Sequence, residues 1–251
     1  SKKFAEGADA LVFDVKCGDG AFMKHRDEAR TLAKSLVDTG VSLGKRIVAV
    51  ITNMDEPLGR MVGNFVEAEE SALCLQGKGP EDLMEVTLRL SGWMLVAGDK
   101  AENIDAAVEM CRKKLADGEP WKRFLANIRA QHGDPDRFQK GMGLVRAKVE
   151  GSIRAPAKGF VAGIRAYPVG MAGVYLGAGR SKADDKVYPN VGIELLKKRG
   201  EAVERGEAVC TLFAESEESL ETATRLVEEA YSYGVAAPDA APMILEEMAA
   251  L

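Results

Sequence analysis

Two short apolar runs do most to limit what this chain can fold into. Residues 9–15 (DALVFDV) and 46–52 (RIVAVIT) are nearly continuous in branched and aromatic side chains, with no regular polar alternation to mark a solvent face. Strands buried on both faces read this way, and they belong to parallel sheets covered by helices. Between the runs, residues 27–39 carry Ala29, Leu32, Ala33, Leu36 and Val37 at helical spacing, with Gly40 as the expected stop. Strand, helix and strand in that order predict a right-handed crossover unit with parallel strands.

The texture then changes twice. Residues 64–140 read as almost wholly helical, in four or five helices, with Pro80 and Pro120 where proline can open a helix. After Gly143, residues 145–213 alternate apolar side chains with frequent glycine, as small barrels and sandwiches do. Residues 219–230 read as an amphipathic helix, and residues 235–251 as a loosely held tail rich in Ala and Pro. The expected fold class is α/β: part of a mainly parallel sheet with flanking helices, then a C-terminal β-rich, barrel-sandwich-like domain. The expected boundaries are 1–7 for the end of a helix already under way, 8–143 for the α/β part and 144–251 for the β-rich part.

Composition narrows the function classes. A chain of 251 residues with 46% hydrophobic side chains can bury a sizeable core. A net charge of -5 argues against binding many nucleic-acid phosphates, which needs clustered Lys and Arg. Cys17, Cys74, Cys111 and Cys210 form no CxxC pair and have no histidine at metal-ligand spacing, which favours reduced thiols. No apolar stretch approaches a membrane span, and no leader pattern is visible, so the expected location is cytoplasmic. The chain opens on Ser1-Lys2-Lys3 without methionine, so an upstream segment is expected.

Two stretches carry the candidate chemistry. DVKCGDGAFMK, residues 14–24, follows the first strand, and its glycines let backbone N–H groups approach a ligand at the carboxyl end of a parallel sheet. By pattern alone it fits an ordinary tight turn equally well. NMDEPLGRMVGNFVEAEES, residues 53–71, follows the second strand, and Glu67, Glu69 and Glu70 crowd the first turns of a helix. The helix dipole explains those carboxylates adequately. An alternative is that one of them joins turn carbonyls around a hard cation.

SKKFAEGADALVFDVKCGDGAFMK resembles the thymidine and pyrimidine-nucleoside phosphorylase family over a long run. MDEPLGRMVGNFVEAEE, RAPAKGFVAGIRAYPVGMAGVYLGAGR and GIELLKKRGEAVERGEAVCTLFA are similar to later stretches of the same family, in family order. The chain thus resembles the C-terminal portion of such an enzyme. Cys17 stands where the family usually has valine, and Asp19 where it usually has serine or alanine.

The resemblance implies phosphate-dependent cleavage of a pyrimidine nucleoside to free base and pentose 1-phosphate, with phosphate as co-substrate and no organic cofactor. It implies that Lys2 binds the base and acts in catalysis, that Phe22 and Met23 line the substrate pocket, and that Leu58, Met61 and Glu70 hold a monovalent cation, potassium in some members. On residue type alone, Lys2 reads as a solvated lysine and Phe22 and Met23 as core. His25 and His132 match no active-site histidine. The family's phosphate loop, a serine and an arginine lie upstream of these residues, so the 251 residues alone are expected to be inactive. A homodimer through an upstream helical domain is the expected assembly, with no nucleic-acid or membrane partner.

Other readings stay in view. The glycine-rich region resembles biotinyl or lipoyl carriers, but residues 164–170 (IRAYPVG) lack the lysine such a hairpin presents. Anthranilate phosphoribosyltransferase shares the helical and sheet plan without the β-rich domain, and a related enzyme of purine monophosphates is a third alternative.

Overall fold

In a computed structural model, residues 7–251 are described. They belong to two compact units: one comprises residues up to 54 with 81–119 and 242–251, the other residues 55–80 and 120–241.

The first unit is built on β1 (Ala10–Cys17) and β2 (Arg46–Asn53), which pair in parallel from Ala10 opposite Arg46 to Cys17 opposite Asn53. Ile47 to Ile51 are at most 1% exposed, as a strand covered on both faces requires. Ala49 and Ile51 pack with Ala29 and Ala33 of α1 (Arg26–Ser42), so this helix covers one face. A third strand, β10 (Ile244–Ala250), runs antiparallel along the other edge of β2. Its neighbouring glutamates point to opposite faces. Glu246 pairs with Arg30 of α1 at 2.8 Å, and Glu247 with Arg89 at 2.5 Å and the Trp93 indole N–H at 2.7 Å, both in α3 (Glu81–Ala97). Burial pulls the Glu247 carboxyl upward, yet the hydrogen bonds from Arg89 and Trp93 hold it below its ordinary value. Gly92 of α3 gives room to α4 (Ile104–Ala116), since a Cβ there would stand 2.8 Å from Ile104 Cδ1.

Three expectations change here. The described sheet is mixed, so the mainly parallel reading holds for the β1–β2 pair alone. The supposedly loose tail contains β10, whose central glutamates look like solvent-facing polarity but each reach an arginine on their own face. Gly40 does not stop α1. It is buried inside it, because a Cβ would come within 2.1 Å of Ile47 Cγ1, and the helix ends just before Gly44, at φ 68°.

The second unit has two antiparallel sheets. The first orders β3 (Met61–Gly63), β6 (Gly192–Leu195), β8 (Ala208–Ala214) and β4 (Val149–Arg154); the second orders β7 (Ala202–Val203), β5 (Gly159–Ile164) and β9 (Tyr231–Gly234). Both sheets are open, so among the described residues no closed barrel forms. One core joins Ile153, Val161, Ile164, Val169, Leu212 and Val227 from both sheets and from α7 (Ala166–Leu176) and α8 (Glu217–Ala230). Gly151 lets α8 lie on β4, since a Cβ there would stand 2.9 Å from Leu220 Cδ1.

The remaining helices are α2 (Phe65–Cys74), α5 (Glu119–Ala130) and α6 (Pro135–Gly141). Phe138 stands 5.5 Å from Phe65 and 5.3 Å from Phe124 between ring centroids, in tilted and edge geometries that aromatic pairs favour. Helices α2 to α6 account for the helical stretch expected over 64–140. The β-rich expectation for 145–213 missed α7. AYPVGMAGVYL is apolar almost throughout, so it shows no helical period to detect.

Candidate functional site

The glycine-rich stretch of the first unit closes as a backbone turn. The Gly18 N–H donates to the Met23 carbonyl at 3.0 Å and the Ala21 N–H to the Gly18 carbonyl at 3.0 Å, while Gly18 takes φ 133°. The Gly20 N–H reaches the Met54 carbonyl at 2.9 Å and the Met54 N–H the Cys17 carbonyl at 2.7 Å, fixing the turn to the end of β2. Lys24 Nζ donates to the Asp19 carbonyl at 2.6 Å. Glu28 accepts the backbone N–H groups of Lys24 and His25 at 3.0 and 3.2 Å, which starts α1. Cys17 is buried in the core beside Val15 and Ile51, so a thiol fits where valine is usual. Phe22 is 99% exposed, and Met23 is half-buried against the same core. The core reading of Phe22 on residue type therefore does not hold.

Beside this turn, a closed polar triad caps the parallel pair. Lys16 Nζ stands 2.7 Å from Asp14 Oδ2 and 2.9 Å from Thr52 Oγ1, and the Thr52 hydroxyl donates to Asp14 Oδ1 at 2.5 Å. Register explains it, since Lys16 lies opposite Thr52 and Asp14 is two residues back on the same face. Thr52 was missed by sequence reasoning. Only the strand register reveals it.

The second turn, residues 55–61, belongs to the second unit and is held by side chains from far along the chain. Lys198 Nζ donates to the Gly59 carbonyl at 2.8 Å and also to the Pro57 carbonyl. Arg60 pairs with Glu201 at 2.5 Å and donates to the Leu196 carbonyl at 3.0 Å. Arg199 stands 3.5 Å from Glu56. Burial pushes the Glu56 carboxyl above its usual range despite the charges of Arg199 and Lys198. For Glu201 burial acts in the same direction, but the hydrogen bonds from Arg60 and the Lys198 N–H outweigh it and lower the carboxyl.

Three glutamates meet this region in three ways. Glu67 accepts the Gly63 N–H at 2.8 Å. Glu69, buried, pairs with Arg146 at 2.7 Å and accepts the Gly143 N–H. Glu70, 6% exposed, accepts the Arg60 N–H at 2.8 Å and the Met61 N–H at 3.4 Å. Helix polarity alone does not account for this, because two of the three carboxylates are buried against specific partners. Leu58, Met61 and Glu70 thus fall in one neighbourhood, and the Leu58 and Met61 carbonyls with the Glu70 carboxylate are oxygen donors, the ligand type a hard cation takes. Among the described residues no cluster of three His, Cys, Asp or Glu side chains could serve instead.

Lys2 lies outside the described residues. Phe22 and Met23 come together in the first unit, and Leu58, Met61 and Glu70 in the second. Sequence reasoning missed Lys198 and Glu201 as partners of the second turn, and with them the pairing of Arg60. The adjacent basic residues 197–199 were the available signal, but nothing local says which carbonyl a lysine will reach. The carrier alternative loses its hairpin, because IRAYPVG runs into helix α7. No helix among the described residues is long and apolar enough to cross a membrane.

Comparison with known proteins adds independent information. Residues 1–120 match the profile of the glycosyl transferase family a/b domain, and residues 160–234 that of the pyrimidine nucleoside phosphorylase C-terminal domain. The chain is 39% identical over 228 residues to a pyrimidine-nucleoside phosphorylase of Geobacillus stearothermophilus, covering 91% of the chain and 53% of that protein. It is 37% identical over 248 residues to the Bacillus subtilis protein of the same name, covering 99% of the chain and 57% of that protein. A Staphylococcus epidermidis protein, also named pyrimidine-nucleoside phosphorylase, is 38% identical over 218 residues, 87% of the chain and 50% of that protein. The chain spans about half the length of the curated relatives it matches.

Proposed function

We propose a function from the premise that this chain belongs to the pyrimidine-nucleoside phosphorylase family. The protein that carries it cleaves a pyrimidine nucleoside with phosphate, giving free base and pentose 1-phosphate. The observation that carries this reading is Phe22, a large apolar ring held in solvent by a turn that backbone hydrogen bonds close on itself and tie to the end of β2. Such a ring gains most from an apolar face brought to it, and a pyrimidine or a pentose supplies one.

No covalent nucleophile is needed in this chemistry. The chain's task is to position two reactants and to offset the charge that develops on the departing base. Lys2 would supply that positive charge, and Phe22 and Met23 would orient the sugar and base. The Leu58 and Met61 carbonyls with the Glu70 carboxylate would hold potassium, which when bound contributes a fixed positive charge. We carry the domain boundaries 8–143 and 144–251, a mainly parallel sheet in the whole protein, a β-rich barrel-sandwich-like second domain, a homodimer and a cytoplasmic location as parts of the same reading. The eight-residue parallel register of β1 and β2 supports the sheet.

Release of base from thymidine and uridine, with and without phosphate and with AMP as comparator, tests the activity. In the protein that carries the chain, Lys2→Ala should reduce kcat on the order of 100-fold or more, as loss of one charge-stabilising donor does. Turnover within about threefold of the parent, less than 1 kcal/mol of barrier, would take Lys2 out of catalysis. For the cation, Glu70→Ala should flatten the rise of Tm with potassium, because a ligand bound only by the folded state stabilises it by mass action.

A further inference from the structure

We propose that Lys198 is a positioning residue for the monovalent-cation site: its ammonium ties the carbonyls on either side of Leu58, so that the Leu58 and Met61 carbonyls stay in register with the Glu70 carboxylate. The inference rests on the reading of Leu58, Met61 and Glu70 as cation ligands.

Lys198 lies 139 positions from Gly59 in sequence, yet its Nζ donates to both Pro57 and Gly59 carbonyls from a part-buried position. An ammonium has three donors and no acceptor, and it is well suited to gather carbonyl oxygens. Here two of those donors are spent on a five-residue stretch that contains Leu58 and ends at Met61. The lysine is itself fixed, because its backbone N–H donates to Glu201 at 2.7 Å. Glu201 in turn pairs with Arg60, whose own N–H donates to Glu70 at 2.8 Å. A run of bonds from Lys198 through Glu201 and Arg60 to Glu70 therefore ties the turn and the carboxylate together. Partners one bond removed from a metal commonly decide ligand orientation, and losing one costs roughly 10- to 100-fold in affinity.

The neighbouring Lys197 provides an internal control. Its ammonium goes to the Ala202 carbonyl at 3.0 Å and Glu207 at 2.9 Å, within its own hairpin. Removing it changes the charge equally but leaves the second turn untouched.

The test is a thermal titration of the protein that carries this chain with potassium chloride, at ionic strength held constant with choline chloride. The parent should gain Tm as potassium rises. Lys198→Met should shift the midpoint of that gain to about tenfold higher potassium or beyond, while Lys197→Met should leave it in place. A lysine that served only stability would lower Tm without moving the midpoint, and that result would overturn the proposal while leaving the cation site intact. A parent without any potassium response would overturn the cation reading and this proposal with it. Should Lys198→Met not fold, Lys198→Arg decides the matter: it keeps the charge but swaps a compact ammonium for a planar fork. Its midpoint should then rise several-fold, and an unmoved midpoint would again overturn the proposal.

Discussion

The two glycine-bearing turns, residues 17–24 and 55–61, are built on opposite principles. The first closes mostly on its own backbone, with partners at the end of the adjoining strand and the start of the following helix. The second has Lys198, Arg199 and Glu201 as its partners, more than 130 residues away in sequence, together with Glu70. A turn made of backbone bonds depends on dihedral angles that only glycine adopts cheaply. One held by distant charges depends on the unit around it being folded.

The largest difference should appear on removing one side chain that supports each turn. Glu70→Ala takes the acceptor from two turn N–H groups and empties a buried position, so it should cost about 2–4 kcal/mol of unfolding free energy, since each orphaned buried group costs about 1–3 kcal/mol. Lys24→Ala, whose ammonium is exposed at the first turn, should stay within about 0.5 kcal/mol. Denaturant midpoints at constant slope measure both, and equal losses would erase the contrast.

Within the first turn, the backbone should matter more than the exposed side chain. Gly18→Ala forces a side chain to φ 133° and should cost about 1–3 kcal/mol. Among charge-neutral changes it should be the most damaging in the first turn. It should also slow nucleoside cleavage if that turn presents Phe22. A Gly18→Ala protein with parent stability by denaturant titration would show that the first turn adapts freely.

This contrast explains what the sequence disclosed. The strand, helix, strand plan was legible because apolar runs and helical spacing are local, and so were the first turn and the helices between 64 and 140. What stayed hidden was set by tertiary contact. Gly40 sits inside α1 only because Ile47 needs its space, α7 has no period because it is apolar on all sides, and β10 reads as tail because Glu246 and Glu247 find arginines the sequence does not pair with them. Likewise Leu58, Met61 and Glu70 were singled out only by a family resemblance, whereas the hold of Lys198 and Glu201 on the second turn is visible only in the folded structure.

A smaller effect should follow from Glu56, whose carboxyl burial raises above the usual range. A carboxyl with a higher value folded than unfolded makes its ionisation a cost to the fold. That cost is absent below the unfolded value and complete once pH has risen through the folded one. Glu56→Gln should therefore raise Tm at about pH 7, with the gain closing as pH falls toward about 4, near the unfolded carboxylate value. A loss of Tm at about pH 7 that closed on acidification would mean that the Arg199 pair, and not burial, governs this carboxyl.

The smallest effect on stability belongs to Phe22, and it separates the two roles that residue type leaves open. A core phenylalanine cut to alanine costs about 3–5 kcal/mol. At 99% exposure Phe22 buries almost nothing, so Phe22→Ala should hold the denaturant midpoint within about 0.5 kcal/mol of the parent. The same change should raise the KM for nucleoside several-fold and leave the KM for phosphate nearly unchanged, because an aromatic face contributes about 1–3 kcal/mol to a stacked base. Both readouts are needed. Unchanged stability alone says only that the ring is solvent-exposed, whereas unchanged stability with an unchanged nucleoside KM would leave the first turn as scaffolding and send the search for the pyrimidine contact elsewhere.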